Sequence, residues 1–354
     1  MQRICHIVWG MSIGGTENML VDIINKQIEE TAITLVVVDS GYNTDLLSRL
    51  DSRVKVFLLN RKLGEKDLLV ITKLNFILLF CRAQVIHCHT PSLLGMILVR
   101  PLFASKVCVT VHDTNIVFPQ LSRYDKIFSI SQSVCTDILN RNNLDSCVVG
   151  NGIDFDSVDQ KTNLASKRGE MSIIQVSRLD HEKKGQALLL NALHEIVFKY
   201  NFPDIKVTFI GDGPSKDYLV HLAQKLEVFS HCEFLGAKNR DFVYATLKDY
   251  DLLVQPSYYE GFGLTIIEGI AAMVPVLVSD IEGPADIIQQ GEYGYMFKKG
   301  DSVELALKIL QVMEDKKKPG FKDKMEINYK YAKEHFDVSN TAKSYLHEYS
   351  QMLS

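Results

Sequence analysis

No apolar run in the 354-residue chain reaches the ~18 residues needed to cross a bilayer. The N-terminus, Met1-Gln2-Arg3-Ile4-Cys5-His6-Ile7-Val8, opens directly on a strand-like run. It lacks a charged leader, a long apolar core and a cleavage site, so a cytoplasmic protein is expected. Basic charge is not in excess. The formal net charge is −4, whereas nucleic-acid binders are normally basic, so nucleic acid is not an expected partner. The cysteines have no rhythm. There are seven, at 5, 81, 88, 108, 135, 147 and 232, odd in number and scattered through apolar runs. They match neither zinc nor disulfide spacing and are expected as buried free thiols in a reducing compartment.

What is present is ordinary for a globular protein: 46% hydrophobic and 23% charged residues. The length exceeds one ordinary core and implies two domains. In the first half, short apolar strands are predicted at Ile4–Trp9, Thr34–Val38, Lys55–Leu59, Val85–Cys88, Val107–Val111 and Ile127–Ser131. Helix-length segments lie between them at Glu17–Ile28, Lys66–Arg82, Ser92–Phe103 and Ser133–Asn140. Such alternation predicts a parallel sheet covered on both faces, with ligands at the C-terminal strand ends.

One stretch organises the rest. Leu252-Leu253-Val254-Gln255-Pro256 reads as a buried strand ended by proline, and Ile266 to Met273 reads as a packed helix. Between them lies Tyr259-Glu260-Gly261-Phe262-Gly263-Leu264-Thr265. A helix starting near Gly263 leaves its first N–H groups free, with the positive end of its dipole toward the loop. Glycines let an anion approach that backbone, and phosphate is the natural ligand. Glu268 would then sit roughly 7 Å up the helix, about the span from a diphosphate to ribose hydroxyls. Read blandly, Glu260 is an exposed loop acid and Glu268 a helix-surface acid. Spacing alone leaves both readings open.

The segment Glu260 through Glu268, with its flanks Pro256-Ser257-Tyr258-Tyr259 and Ala271-Ala272-Met273-Val274-Pro275-Val276, resembles the E-x7-E signature of retaining glycosyltransferases of family 4. The resemblance spans nearly the whole chain. It is strongest from Val207 to Phe297 and weakest from Gly41 to Arg82. It implies an α/β protein of the GT-B fold, with two Rossmann-like doubly wound domains facing across a cleft. Residues 1–160 would form the acceptor-side domain, with a C-terminal helix of about 336–354 packing back on it. Residues 165–335 would bind the nucleotide sugar. Val149-Gly150-Asn151-Gly152-Ile153-Asp154 looks like the family's exit from the first domain, and the polar stretch Lys161 to Glu170 reads as the linker.

The resemblance also implies roles. Arg178 and Lys184, in Ser177-Arg178-Leu179-Asp180-His181-Glu182-Lys183-Lys184-Gly185, would grip the leaving diphosphate. The adjacent Lys183 leaves the second assignment one position ambiguous. Glu260 would meet the donor sugar, as nucleophile or as binder. The N–H groups of Gly263, Leu264 and Thr265 would hold the diphosphate, Glu268 the ribose, and Gly236 the edge of the base. In the first half, Gly14, Gly15 and Thr16 would line the donor and acceptor site, and His112 would touch the donor sugar. Each of these residues also has a plain structural reading, as a tight βα turn, a surface basic cluster or a core histidine.

Other patterns point elsewhere. The Gly10–Glu17 loop is not G-x-G-x-x-G, so the acid that ends the second strand, Asp39, does not make a dinucleotide fingerprint. His87, Cys88 and His89 could ligate a metal, but strand alternation sends Cys88 to the opposite side. Asp154-Phe155-Asp156 and Asp249-Tyr250-Asp251 are D-x-D patterns in positions that read as structural. No metal or other cofactor is expected, because Arg178, Lys184 and a helix dipole can neutralise a diphosphate. From Asp51 to Lys106 nine basic residues oppose three acids, a surplus of nine minus three, or +6, among leucine-rich segments. A basic, apolar face of this kind can lie on an anionic membrane. The expected partners are therefore a nucleotide-sugar donor and a glycan or lipid-linked oligosaccharide acceptor, with membrane contact through residues 51–106. The expected product is a bacterial surface polysaccharide.

Overall fold

The computed structural model describes residues 1–12, 14–62, 68–98, 105–114, 117–162 and 171–354. They form two compact units, Met1–Ile153 with Val338–Ser354, and Asp154–Asp337.

The first unit is built on β1 (Arg3–Val8), α1 (Gly15–Gln27), β2 (Ala32–Asp39), α2 (Thr44–Ser48), β3 (Lys55–Arg61), α3 (Leu68–Cys81), β4 (Val85–Cys88), β5 (Lys106–Val111), β6 (Lys126–Ser129), α4 (Gln132–Asn142) and β7 (Cys147–Val148). All pairings are parallel, and the strand order is β3-β2-β1-β4-β5-β6-β7. The interior strands are buried on both faces, which is why they read as unbroken apolar runs. Local chemistry sets the helix starts: the Asn43 side chain accepts from Leu46 N–H to cap α2, and Ser131 accepts from Val134 N–H to cap α4. The C-terminal helix Val338–Leu353 belongs to this unit and packs on α1. Its Tyr345 and Tyr349 are buried.

The second unit carries β8 (Met171–Val176), α5 (His181–Lys184), α6 (Gln186–His194), β9 (Ile205–Ile210), α7 (Lys216–Lys225), β10 (Cys232–Gly236), α8 (Arg240–Thr246), β11 (Leu252–Gln255), α9 (Leu264–Ala271), β12 (Val276–Ser279), α10 (Pro284–Ile287), β13 (Tyr295–Phe297), α11 (Ser302–Asp315) and α12 (Phe321–Phe336). The order is β10-β9-β8-β11-β12-β13, again all parallel. Its core gathers Ile173, Val207, Phe209, Leu252, Val254 and Leu277 from the strands, with Leu189 and Leu305 from covering helices.

Two sequence expectations need correction. The helix predicted over Ser92–Phe103 is a short 3-10 turn, Pro91–Met96, after which Ile97 is extended. Gly95 weakens a continuous helix there. The Asn75 side chain takes up the chain on both sides of Ile97, donating to Met96 C=O and accepting from Leu98 N–H. Residues 99–103 of that prediction lie outside the described residues, as do Lys66 and Asp67 at the start of the predicted Lys66–Arg82 helix. The sequence reading also stopped short of β7, a two-residue strand too brief to carry a periodic signal. The linker reading of 161–170 falls mostly on residues 163–170, outside the described ones. The two D-x-D patterns hold structure together. Asp154 accepts from Asp156 N–H and Ser157 Oγ, and Asp156 pairs with Lys333. Asp251 is buried between Lys161 and Lys316 and accepts from Ser172.

Candidate active site

In each sheet one point has neighbouring strands whose connections leave in opposite directions. In the second unit it lies between β8 and β11, since the chain runs outward through β9 and β10 on one side and β12 and β13 on the other. Loops that diverge from such a point leave a crevice at the C-terminal strand ends. Here the two loops are 177–185 and 256–263, the ones that carry Arg178, Lys184 and Glu260.

The loops are fixed to one another. Tyr258 and Tyr259 N–H donate to the Lys183 carbonyl, at 2.8 and 3.2 Å. Gly185 sits at φ +68°, and a β-carbon there would lie 1.9 Å from the Pro256 carbonyl oxygen. Only glycine closes this turn at that distance. The one-turn helix α5 then separates the two lysines: Lys183 is exposed, while Lys184 turns back and its Nζ lies 2.6 Å from Glu260 Oε2. The two side chains are 24% and 15% exposed, so Glu260 is not the surface loop acid of the bland reading. Arg178, on the same loop as Lys184, is exposed and forms no side-chain ion pair among the described residues.

Gly263 begins α9 at φ +115°, and no side chain caps it. Among the described residues the N–H groups of Leu264 and Thr265 have no acceptor. They are therefore donors at the positive end of the helix dipole. Gly283, at φ +84° in the turn after β12, backs the loop: a β-carbon there would lie 3.1 to 3.4 Å from the Phe262, Glu260 and Gly261 carbonyl oxygens. Glu268, one turn on, is only partly exposed. Burial raises its carboxyl to about 7, against the opposing pull of the Arg240 charge and a Tyr244 hydrogen bond. Arg240 and Tyr244 on α8 are partners that sequence spacing did not reveal. Gly236 ends β10 in a bulge at φ +71°, with open space where a side chain would be.

In the first unit the corresponding point lies between β1 and β4. Gly14 is the extended N-cap of α1, followed by exposed Gly15 and Thr16. The Glu17 carboxylate, which the sequence reading left out, folds back over Gly14. A β-carbon on Gly14 would meet Glu17 Oε2 at 2.3 Å, and Ser12 Oγ donates to Glu17 Oε1. An incoming diphosphate at this helix end would have to displace that acid. Asp39 is bound to Arg61 at 2.7 Å, and the Arg61 guanidinium lies 4.4 Å over the Trp9 ring.

His112 directly follows β5, with both ring nitrogens buried and without a hydrogen-bond partner among the described residues. Burial lowers it to about 4, so it is a neutral imidazole at pH 7. Next to it stands a histidine stack that the sequence only half disclosed. His87 and His89 do face one side, and His6, in register with His87 on β1, joins them. The three could in principle hold a metal, with ligand atoms within 4.8 Å. Five of their six ring nitrogens have hydrogen-bond partners. His6 binds Gln27 and His89, each at 3.0 Å, and His87 binds Tyr349 at 2.5 Å and Thr110 at 2.8 Å. The His87 and His89 rings stack 4.3 Å apart at 27°. A shared ion would need to lie near both ring planes about 2.0–2.1 Å from each nitrogen, which stacked rings do not offer. The cluster is a hydrogen-bonded polar core.

Two parallel-sheet Rossmann-like units with their crevices at switch points are the architecture of GT-B glycosyltransferases. Residues 156–334 match the family described as "Glycosyl transferases group 1", and residues 13–157 match "Glycosyltransferase Family 4". The chain belongs to the group 1 glycosyl transferases. Among relatives, it is 32% identical over 197 residues to an uncharacterized glycosyltransferase of Methanocaldococcus jannaschii, covering 53% of this chain and 49% of that one. It is 28% identical over 164 residues to a phosphatidyl-myo-inositol mannosyltransferase of Mycobacterium leprae, covering 46% and 42%. The matched part thus spans about half the length of these relatives. A glycosyltransferase of Rickettsia africae superposes with a TM-score of 0.83 at 18% identity, over 100% of this chain and 99% of that one. Anabaena HepE, solved in complex with UDP and glucose, superposes with 0.80 at 20% identity, over 99% and 100%. At these identities the superpositions bear on the fold alone.

Proposed function

We propose that the protein is a retaining glycosyltransferase that moves a hexose from a nucleoside-diphosphate sugar to a glycan or lipid-linked acceptor, in surface polysaccharide biosynthesis. The observation that carries this reading is the Lys184–Glu260 pair beside the uncapped N-terminus of α9. In it, a cation, a carboxylate and free backbone donors share one crevice edge. The diphosphate would bind Leu264 and Thr265 N–H, Lys184 and Arg178. Glu260 would bind hydroxyls of the sugar, and Glu268 the ribose. As the C1–O bond breaks, charge grows on the departing phosphate, where these donors act most strongly. The acceptor hydroxyl attacks C1 and passes its proton to that phosphate. His112, a neutral imidazole unpartnered among the described residues, would by the family resemblance touch the donor sugar. With this cation set we expect no metal requirement. UDP is favoured over GDP on the resemblance to family 4, where uridine donors are the more frequent.

The acceptor is read as membrane-borne, with the protein working at the inner face of the cell membrane. Leu68, Leu69, Phe76 and Phe80 on α3 are each exposed by 68% or more. Lys55, Lys62, Lys73 and Arg82 are exposed as well, and the sequence from 52 to 106 carries nine basic residues against two acids, Glu65 and Asp67. Exposed apolar side chains and a surplus of cations suit anionic lipid. No helix among the described residues is long and apolar enough to cross a membrane, so contact would be peripheral. Sedimentation with anionic vesicles, absent with zwitterionic ones and weakened by Phe76→Ser with Phe80→Ser, is the expected result. Equal recovery with both lipids would remove this part of the reading.

The test of the activity is a thermal-shift panel of UDP-, GDP- and ADP-sugars with and without EDTA. A ligand that binds the native state raises the melting point by mass action. A shift with one nucleotide class that EDTA leaves unchanged supports the reading. A shift followed by no transfer and no donor hydrolysis would favour a subunit that binds but does not catalyse. A new sugar nucleotide formed from the donor alone would favour an epimerase.

A further inference from the structure

Three buried polar features lie outside the roles assigned so far: the histidine stack, the Asp251 ion cluster, and two glutamines beneath the 177–185 loop. The first two are hydrogen-bonded or charge-paired within the core. The glutamines are different, because half of each amide is unsatisfied among the described residues.

Gln175 lies in β8 among Ile173, Ile174 and Val176, and is 1% exposed. Gln186 opens α6 and is 0% exposed. Gln175 Nε2 donates to the Lys184 carbonyl at 2.8 Å. Gln186 Nε2 donates to the Arg178 carbonyl and to Ser177 Oγ, both at 2.9 Å. Carbonyl oxygens only accept, so the amide orientation is set by its partners. With the NH2 groups turned to the loop, both Oε1 atoms are left buried without a partner among the described residues. An unmade buried bond is costly, and an apolar residue would suit a fully buried strand better. These amides thus hold the backbone at the two residues whose side chains are the crevice cations.

We infer that Gln175 and Gln186 are positioning residues for the diphosphate grip: they fix the backbone of Lys184 and Arg178, turning those two carbonyls inward and away from the anion. The inference rests on the proposed function. Neither glutamine need touch donor. Together with the Gly185–Pro256 contact and the Tyr258 and Tyr259 bonds to Lys183, they set the loop before donor arrives. Preorganised donors act mainly in the transition state.

The experiment compares wild type, Gln175→Met, Gln186→Met and Gln175→Glu in donor hydrolysis and transfer, with melting points. The methionines keep length and remove both the donor and the stranded oxygen. Expected are melting points within a few degrees of wild type, kcat lower by about 10- to 100-fold, and donor KM changed by about threefold or less. Gln175→Glu can donate to the Lys184 carbonyl only when protonated. Its kcat should fall, relative to wild type, as pH rises through the carboxyl pKa. Unchanged kcat in the methionine variants, or a Gln175→Glu pH profile parallel to wild type, overturns the inference. So does activity loss that only tracks a lowered melting point. A wild type inert toward every donor overturns the proposed function as well. An active wild type with unaffected variants overturns the glutamine assignment alone.

Discussion

Lys184 Nζ and Glu260 Oε2 lie 2.6 Å apart, 76 residues apart in the chain. The contact exists because β8 and β11 are neighbours whose loops diverge. It also means that the cation assigned to the diphosphate and the carboxylate assigned to the sugar neutralise each other.

Separating the pair should split binding from turnover. Glu260→Gln frees Lys184 for phosphate, so affinity for UDP without sugar should rise several-fold while sugar transfer falls. Lys184→Ala should weaken UDP and lower kcat by ~10²–10³. Titration calorimetry with UDP and a transfer assay read both. Weaker UDP binding by Glu260→Gln would contradict the arrangement.

Nucleoside binding should depend on pH through Glu268. Burial places this carboxyl at about 7, above its ordinary 4.5. A ribose diol donates to the ionised form, so affinity for uridine, which has no phosphate to titrate, should increase from pH 6 to pH 8. Glu268→Gln should flatten the curve. The same shift costs stability as pH rises: the raised pKa stabilises the fold below 4.5, and that contribution is lost as pH passes through about 7. Melting curves of the variant and wild type should therefore converge at low pH.

Gly185→Ala should damage the loop. The residue has positive φ, and the new β-carbon would meet the Pro256 carbonyl at 1.9 Å. A loss of about 2 kcal/mol or more is expected from strain and displaced backbone, measured by urea unfolding. Gly236→Ala, with positive φ but open space around it, should cost about 1 kcal/mol.

Acid should loosen the first unit through its histidines. His6 and His112 are lowered from 6.5 to about 4 by burial, and His87 and His89 lie well below the usual range. A depressed folded pKa gives stability that is complete above 6.5 and lost as pH falls toward 4. The groups facing the stack are Gln27 of α1, Thr110 of β5, and Tyr345 and Tyr349 of the C-terminal helix. None of them carries a negative charge at these pH values to offset a protonated ring; Asp113 acts in that sense on His112, where burial outweighs it. His6→Gln should reduce the slope of stability against pH between 6.5 and 4. An identical slope would assign the acid lability elsewhere.

Sequence and tertiary structure divided the work by distance along the chain. Strands, glycine turns and most helices were legible, because apolar runs, caps and positive-φ glycines act within a few residues. So was the strand, glycine loop and helix from Leu252 to Ala271 that carries Glu260 and Glu268. The Ser92–Phe103 segment misled because an apolar run is compatible with helix, while the decisive groups included Asn75 on a different element. What the sequence could not fix was register and neighbourhood. It assigned Lys184 with a one-position ambiguity toward Lys183, and one helical turn separated the two. It showed two histidines, and the alignment of β1 with β4 supplied the third. It gave Glu268 a position, whereas its proton affinity comes from burial against α8. Side-chain type is written locally, but charge, burial and partner are set by which strands lie side by side.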